Sequence, residues 1–290
     1  LGGSSSLAEI AACLYFHAMR YDPSNPRDPD RDRFLLSKGH CVLIQYAALA
    51  ELGVVPRSEL KRVKTLQGCL QGHPDMDHTP GVEAVTGSLG MGLSIGLGMA
   101  LGFRLDGRPS RIYVIMGDGD ATAIGGNHFI HAARRNLNLT AIIINNNIYG
   151  MTGGQYSPTT PYGAMTATSL FGHLEHPFSI AELAVTAGAA MVGRGTVYHA
   201  TLLDHLMERA ILKRGFAVVE VISHCHTQFG LKNKMGGPVE MMRAQKEMAV
   251  RVEKAKTLLV DRSLRISEVV YAAGFGSIPR FNSVFKRYVG

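Results

Sequence analysis

Apolar positions along this chain follow two alternating periods. Ser6-x-x-Glu9 has the form of a capping box, and Leu7, Ile10, Ala11 and Leu14 follow at helical spacing, predicting a helix from about 7 to 20. Pro23 to Asp32 is polar and reads as a loop, Phe34 to Leu36 as a short buried strand, and Val42 to Leu52 as a second helix. Apolar runs at 112–116, 140–144, 190–193 and 217–222 then alternate with helical patterns near 127–136, 179–188 and 199–214. Runs that are apolar on both faces suit strands covered on both sides by helices. The alternation therefore predicts an α/β fold with a doubly wound, mainly parallel sheet.

One segment breaks the rhythm. Ala84 to Phe103 contains no charged residue, the length of a membrane span, yet it holds six glycines with Thr86, Ser88 and Ser94. A glycine-rich helix packed closely on the sheet, its amino end open to a ligand, fits better than a span. Composition agrees: 290 residues, 46% hydrophobic and 18% charged, can bury one large core and a small appendage. The four cysteines, Cys13, Cys41, Cys69 and Cys225, have no Cys-x-x-Cys spacing, which points to reduced thiols in a cytoplasmic chain with no membrane role. The chain opens on Leu1 with no basic-apolar signal sequence behind it, and a truncated start is expected.

The formal charge of +7 is uneven, because residues 251–290 carry eight basic groups against three acidic ones. A nucleic-acid partner, if any, would be met by this tail. The expected division is an α/β domain over 1–245 and a small all-α unit over 251–290, with the Gly/Met/Lys stretch 232–237 as the loosening between them.

The densest chemical signal is Gly117-Asp118-Gly119-Asp120 at the end of the run Ile112 to Met116, followed by Asn145-Asn146-Asn147-Ile148-Tyr149 after the next run. A strand that stops at Gly-Asp-Gly sets a carboxylate where open parallel sheets collect ligands, and the glycines let a diphosphate approach the backbone. Mg²⁺ takes hard oxygen ligands in octahedral array, shared with phosphates. If the two strands are neighbours, Asp118 gives a carboxylate oxygen, Asn146 an amide oxygen and Ile148 a backbone carbonyl. The expected metal ligands are thus Asp118, Asn146 and Ile148, and Gly117, Gly119, Asp120 and Tyr149 join them around the diphosphate. A tight turn and a strand-ending loop with no ligand are the alternative.

Three resemblances cover the chain in sequence. Residues 1–120 resemble the amino-terminal subunit of a transketolase, through Leu1-Gly2-Gly3-Ser4, Tyr21-Asp22-Pro23, Arg31-Asp32-Arg33-Phe34, Ser37-Lys38-Gly39-His40, Gln71-Gly72-His73-Pro74 and Gly87-Ser88-Leu89-Gly90. Residues 117–250 resemble the β subunit of a 2-oxoacid:ferredoxin oxidoreductase, through Ile124-Gly125-Gly126-Asn127-His128, Asn145 to Gln155, Pro158-Thr159-Thr160-Pro161 and Cys225 to Gly230. Both families bind thiamine diphosphate (ThDP) with Mg²⁺ on the same type of α/β domain. Residues 251–290 resemble a helix-turn-helix of an AraC-type regulator, through Ile266-Ser267-Glu268-Val269, Gly274-Phe275 and Phe281-Asn282-x-x-Phe285-Lys286. The order of the three is that of a chimera, with its first join at Gly117-Asp118-Gly119.

The transketolase resemblance implies that His40 lines the diphosphate region, His73 faces a substrate hydroxyl, and Gly87 and Leu89 contact the aminopyrimidine. His128 is expected to start a helix near the diphosphate. Both families activate ThDP with a glutamate on a pyrimidine-binding domain, so a partner subunit carrying that domain is implied, with a keto sugar or a 2-oxoacid as substrate. Of the oxidoreductase's iron–sulfur ligands only Cys225 remains, and no [4Fe–4S] cluster is expected. In the tail, Ser267 is expected to cap one helix and Ser277 a second, leaving Arg280, Asn282 and Lys286 to meet DNA. A DNA-binding regulator and an inert recombined chain are the competing readings.

Overall fold

The computed structural model describes residues 2–259 and 265–289; Leu1 of the first transketolase-like motif lies outside them. The elements are α1 (Gly2–Ser5), α2 (Ala8–Cys13), β1 (Arg33–Leu36), α3 (Val42–Glu51), α4 (Met91–Leu105), β2 (Ile112–Gly117), α5 (Gly126–Arg135), β3 (Leu139–Asn145), β4 (Ile148–Tyr149), β5 (Gln155–Tyr156), α6 (Ile180–Thr186), β6 (Met191–Thr196), α7 (Ala200–Leu212), β7 (Phe216–Ile222), α8 (Pro238–Leu259), α9 (Ile266–Ala272) and α10 (Ile278–Val289). Five strands form one sheet in the order β1-β2-β3-β7-β6, every pair parallel. The doubly wound, mainly parallel architecture expected from the alternation is present.

Why the strands read as unbroken apolar runs is visible in the core. Phe34, Leu36, Tyr113, Ile115, Ile142, Ile144, Val219 and Val221 face one side, where they pack with residues of α2, α3 and α7. Leu35, Val114, Met116, Ala141, Ile143 and Val218 face the other, with α4, α5 and α6. Alternate residues thus serve two separate cores, each side chain contributing about 1.5–3 kcal/mol when fully buried. β6 runs longer than the apolar signal at 190–193. As an edge strand it needs less burial, and its glycines Gly193 and Gly195 lie against Leu206 and Leu203 of α7.

Three local expectations are corrected. The first helix does not run from 7 to 20 behind a Ser6 cap. Gly2–Ser5 forms its own helical turn, Ser6 Oγ donates back to the Gly3 carbonyl (2.8 Å), α2 starts at Ala8, and residues Leu14–Ala18 continue as π-helix. The glycine-rich segment becomes helical only at Met91. Gly90 is left-handed (φ 81°) and its backbone meets Gly125 so closely that a Cβ would lie 2.7 Å from that nitrogen, so helix cannot extend back through it. Nor is the amino end of α4 open to a ligand: Gly90 N–H donates to Asp120 Oδ1 and Gly92 N–H to Ser37 Oγ. The close packing does hold, with Gly96 seated over Val114 and Leu139.

Beyond the sheet, α8 runs continuously from Pro238 to Leu259, across the interval where the two units were expected to divide. α9 and α10 follow as two helices around the left-handed turn at Gly274, with Val269, Val270, Phe275 and Phe281 as their core. Ser277 Oγ accepts from Arg280 N–H, as its expected capping role requires. Ser267 does not cap α9: the helix begins one residue earlier, and Glu268 Oε2 accepts the Arg265 N–H instead. α10 lies against the edge strand β6, where Arg194 Nη1 donates to the Lys286 carbonyl (2.6 Å) and Lys286 Nζ pairs with Glu182 (2.9 Å). Of the three residues expected to face DNA, Lys286 is therefore engaged with the α/β body, whereas Arg280 and Asn282 are exposed. No helix among the described residues is long and apolar enough to cross a membrane.

Candidate functional site

The carboxyl ends of β1, β2, β3 and β7 open onto one cavity of about 500 Å³, a size suited to a cofactor. Its lining contains His40, His73, Gly87, Leu89, Gly117, Asp118, Gly119, Asp120, Asn146, Ile148 and Tyr149, all expected there, but not His128. β2 and β3 are hydrogen-bonded neighbours with Gly117 opposite Ile144, which puts the Gly-Asp-Gly turn and the asparagine run at the same level. π-helical turns at Asp120–Ile124 and His226–Gly230 border the cavity, a backbone irregularity common at functional sites.

The two acidic residues of the turn differ in their surroundings. Asp120 Oδ1 accepts from Ser37 Oγ (3.0 Å) and Gly90 N–H (2.5 Å), and its Oδ2 from Gly117 N–H (3.3 Å). Both oxygens are spent on tying β1, the start of α4 and the end of β2 together. Asp118 Oδ2 instead meets two hydroxyls, Ser157 Oγ at 2.5 Å and Thr159 Oγ1 at 2.7 Å. Burial raises the pKa of both carboxyls; for Asp118 the two hydroxyls and the Lys38 charge pull it back.

Tyr149 covers the turn. Its hydroxyl donates to the Gly119 carbonyl (3.1 Å), and a Cβ at Gly119 would fall 2.3 Å from the ring, so only glycine fits beneath it. Asn145 turns into the sheet, where its Nδ2 donates to Glu220 Oε1 (2.7 Å), while Asn146 lines the cavity. Among the described residues no group of three His, Cys, Asp or Glu side chains is placed to hold a metal. A cation at this turn would rest on oxygen from Asp118, the Asn146 amide and the Ile148 carbonyl, a donor set suited to Mg²⁺ rather than a soft metal.

On the opposite wall, Tyr46 Oη lies 3.0 Å from the Gln71 carbonyl and 3.2 Å from that of His73, steadying the loop that presents His73. His40 is kept neutral near pH 7: burial first, then the Lys38 and His73 charges, hold its pKa down to about 4. His128 is not where it was expected. It lines a separate groove on the outer surface of α4 and α5, with Ser94, Leu97 and Arg104.

Several lining or supporting residues were not among those expected at this site: Lys38, Thr159 and Cys225, which stand in the motifs that carry the resemblances, and His224 and Ser157, which do not. Lys38 had a usable signal, since it lies just past a strand that neighbours β2. Ser157 and Thr159 reach Asp118 across some forty residues of chain, for which no local pattern exists.

Fold and site together define a cofactor-binding α/β domain whose ligand sits at the carboxyl ends of a parallel sheet. The family described as thiamine pyrophosphate enzyme, C-terminal TPP binding domain, matches residues 67–221, more than half of the chain. The chain belongs to this family of thiamine diphosphate-binding domains. It is 50% identical over 162 residues to the 2-oxoglutarate synthase subunit KorB of Methanothermobacter thermautotrophicus, 56% of this chain and 57% of that protein. It is 46% identical over 121 residues to the 6-deoxy-6-sulfo-D-fructose transketolase subunit SqwG of a Clostridium species, 42% of this chain and 44% of that one. Among solved structures, the transketolase from Leishmania mexicana superposes with a TM-score of 0.63 at 25% identity, over 76% of this chain and 32% of that one. The chain spans about half the length of the curated relatives it matches.

Proposed function

We propose that this chain is the diphosphate-binding component of a ThDP enzyme that breaks or transfers a carbon–carbon bond next to a carbonyl, working with a partner that supplies the pyrimidine-binding domain. The observation that carries the reading is the convergence of Asp118, Asn146 and Ile148 with His40, His73, Gly87 and Leu89 on one cavity. The cavity also fits the cofactor in charge, because the buried Lys38 ammonium on its wall has no hydrogen-bond partner among the described residues.

In this reading Asp118, Asn146 and the Ile148 carbonyl hold Mg²⁺, Gly117 keeps the turn open to the diphosphate while Gly119 makes room for Tyr149, and Gly87 and Leu89 border the aminopyrimidine. Asp120 keeps the turn in shape, and Tyr149 excludes water from above it. When bound, the cofactor supplies a nucleophilic carbon that adds to a carbonyl. His40, neutral at pH 7, and His73, exposed on the wall, are placed to hydrogen-bond a substrate's oxygens. The substrate is a keto sugar or a 2-oxoacid. The relatives named above, one a subunit of a 2-oxoglutarate synthase and one of a transketolase, support both a partner and this pair of substrate classes.

Calorimetric titration with ThDP and Mg²⁺ tests the reading. Micromolar binding that is abolished in Asp118→Ala is expected; absence of heat with the intact chain would sink it. Turnover of a keto sugar or a 2-oxoacid by this chain alone would remove the need for a partner.

A further inference from the structure

Lys38 stands out among the charged groups of the cavity. It lies two residues past the end of β1, its N–H donating to the Ile115 carbonyl of β2 (3.1 Å). The residue is only 5% exposed, and its Nζ is buried with no hydrogen-bond partner among the described residues. The stem runs along the Gly-Asp-Gly turn: a Cβ at Gly117 would sit 3.8 Å from Lys38 Cδ and 3.9 Å from Cε. Leaving an ammonium buried without a hydrogen bond is expensive, and folds tolerate it where something outside the chain completes the site.

The neighbouring carboxylates do not fill that role. Both oxygens of Asp120 are occupied by Ser37, Gly90 and Gly117, and Asp118 Oδ2 faces Ser157 and Thr159. Both carboxylates do feel the Lys38 charge, so the three groups form a buried set with one net negative charge when all are ionised. A divalent cation turns that balance positive, and a diphosphate is what the enlarged positive site then accepts. Without the lysine the loaded site would carry one more negative charge in a medium that screens poorly.

Resting on the ThDP reading, we infer that Lys38 is an anion-receiving residue which pairs with the cofactor's diphosphate beside the metal, and that it disfavours metal binding before the diphosphate arrives. The two effects have opposite signs. A lysine that merely packs the wall or holds the two aspartates together would produce neither the split nor its direction.

The test uses the full chain and the Lys38→Met variant, similar in length but uncharged, with Lys38→Arg as the conservative control. Lys38→Met leaves the buried Asp118 and Asp120 carboxylates without the positive charge they feel, so a lowered melting temperature of the ligand-free variant is expected, and the binding comparison is made below that temperature on chains whose circular dichroism matches the parent. Lys38→Met should weaken ThDP binding in Mg²⁺ by about 10- to 100-fold, the worth of one charge-assisted hydrogen bond. Thiamine lacking the diphosphate should bind both proteins alike, Mn²⁺ alone should bind the variant more tightly, and Lys38→Arg should recover part of the loss. Unchanged ThDP affinity in the variant, beside intact binding by the parent chain that depends on Asp118, refutes the role of Lys38 and leaves the function standing. Inorganic pyrophosphate that binds through Lys38 while ThDP does not bind at all keeps the anion site and discards the function. Selective loss of 2-oxoglutarate affinity, with ThDP affinity kept, would assign the charge to a substrate carboxylate and overturn the inference.

Discussion

The turn at Gly117–Asp120 and the pair α9–α10 are both short motifs that a reader of the sequence would single out, and they are held in opposite ways. The turn is enclosed by residues from four distant stretches: Ser37, Gly90, Tyr149 and the Ser157–Thr159 pair. The tail is closed on itself, its core made by Val269, Val270, Ala273, Phe275 and Phe281 with Met248 of α8 beside them. A motif whose neighbours arrive from all over the chain acquires an interior, with buried charge and a cavity. One that is satisfied locally acquires only a surface, and its connection to the body runs through Arg194, Lys286 and Glu182.

That contrast is breakable. The largest expected effect is from Asp120→Ala, which strands the Gly90 and Gly117 N–H groups and the Ser37 hydroxyl. About 4 kcal/mol of global stability should be lost, visible as a fall in melting temperature of about 8–16 °C and a lower denaturation midpoint. If the chain tolerates this change with its stability intact, the turn is not the keystone described. Next comes Phe281→Ala in the tail, with a local cost of about 3 kcal/mol. Hydrogen exchange should show α9 and α10 losing protection while the sheet keeps it and ThDP affinity holds. Loss of sheet protection at the same time would erase the distinction between the two regions.

Asp118→Asn sharpens the comparison within the turn itself. It keeps the shape and removes the charge, so stability should stay close to that of the parent chain while affinity for ThDP with Mg²⁺ falls about 30-fold, roughly 2 kcal/mol. Acidification should show the same site from another side. Burial raises the Asp118 carboxyl, so on lowering the pH protons displace the cation at a higher pH than from an ordinary carboxylate, and Mn²⁺ titrations at stepped pH read this directly.

The smallest effect belongs to His40. With its pKa held down to about 4 from an ordinary 6.5, the unfolded chain takes up a proton between those values that the folded chain refuses. Stability should therefore fall as pH drops from 6.5 toward 4. His40→Gln should flatten that slope in urea melts.

The sheet was legible because its strands are buried on both faces. Ile112 to Met116 and Leu139 to Ile144 carry the same unbroken apolar signature in sequence that they need in space. The turn was legible because two glycines beside two carboxylates break sharply from the apolar run Ile112 to Met116 that leads into them. What could not be read depended on contacts between distant stretches. Gly90 ends the helix pattern only because Gly125 lies against it, and Asp120 resembles a ligand in sequence but is consumed by Ser37, Gly90 and Gly117. The isolation of Lys38 is likewise a property of what surrounds it.

Among the described residues β6 is paired on one side only, and α10 lies against it. An unpaired strand offers its backbone groups to any other extended chain. Removing α9 and α10 takes away a neighbour of that border, and light scattering of the shortened protein should show self-association that the full chain lacks.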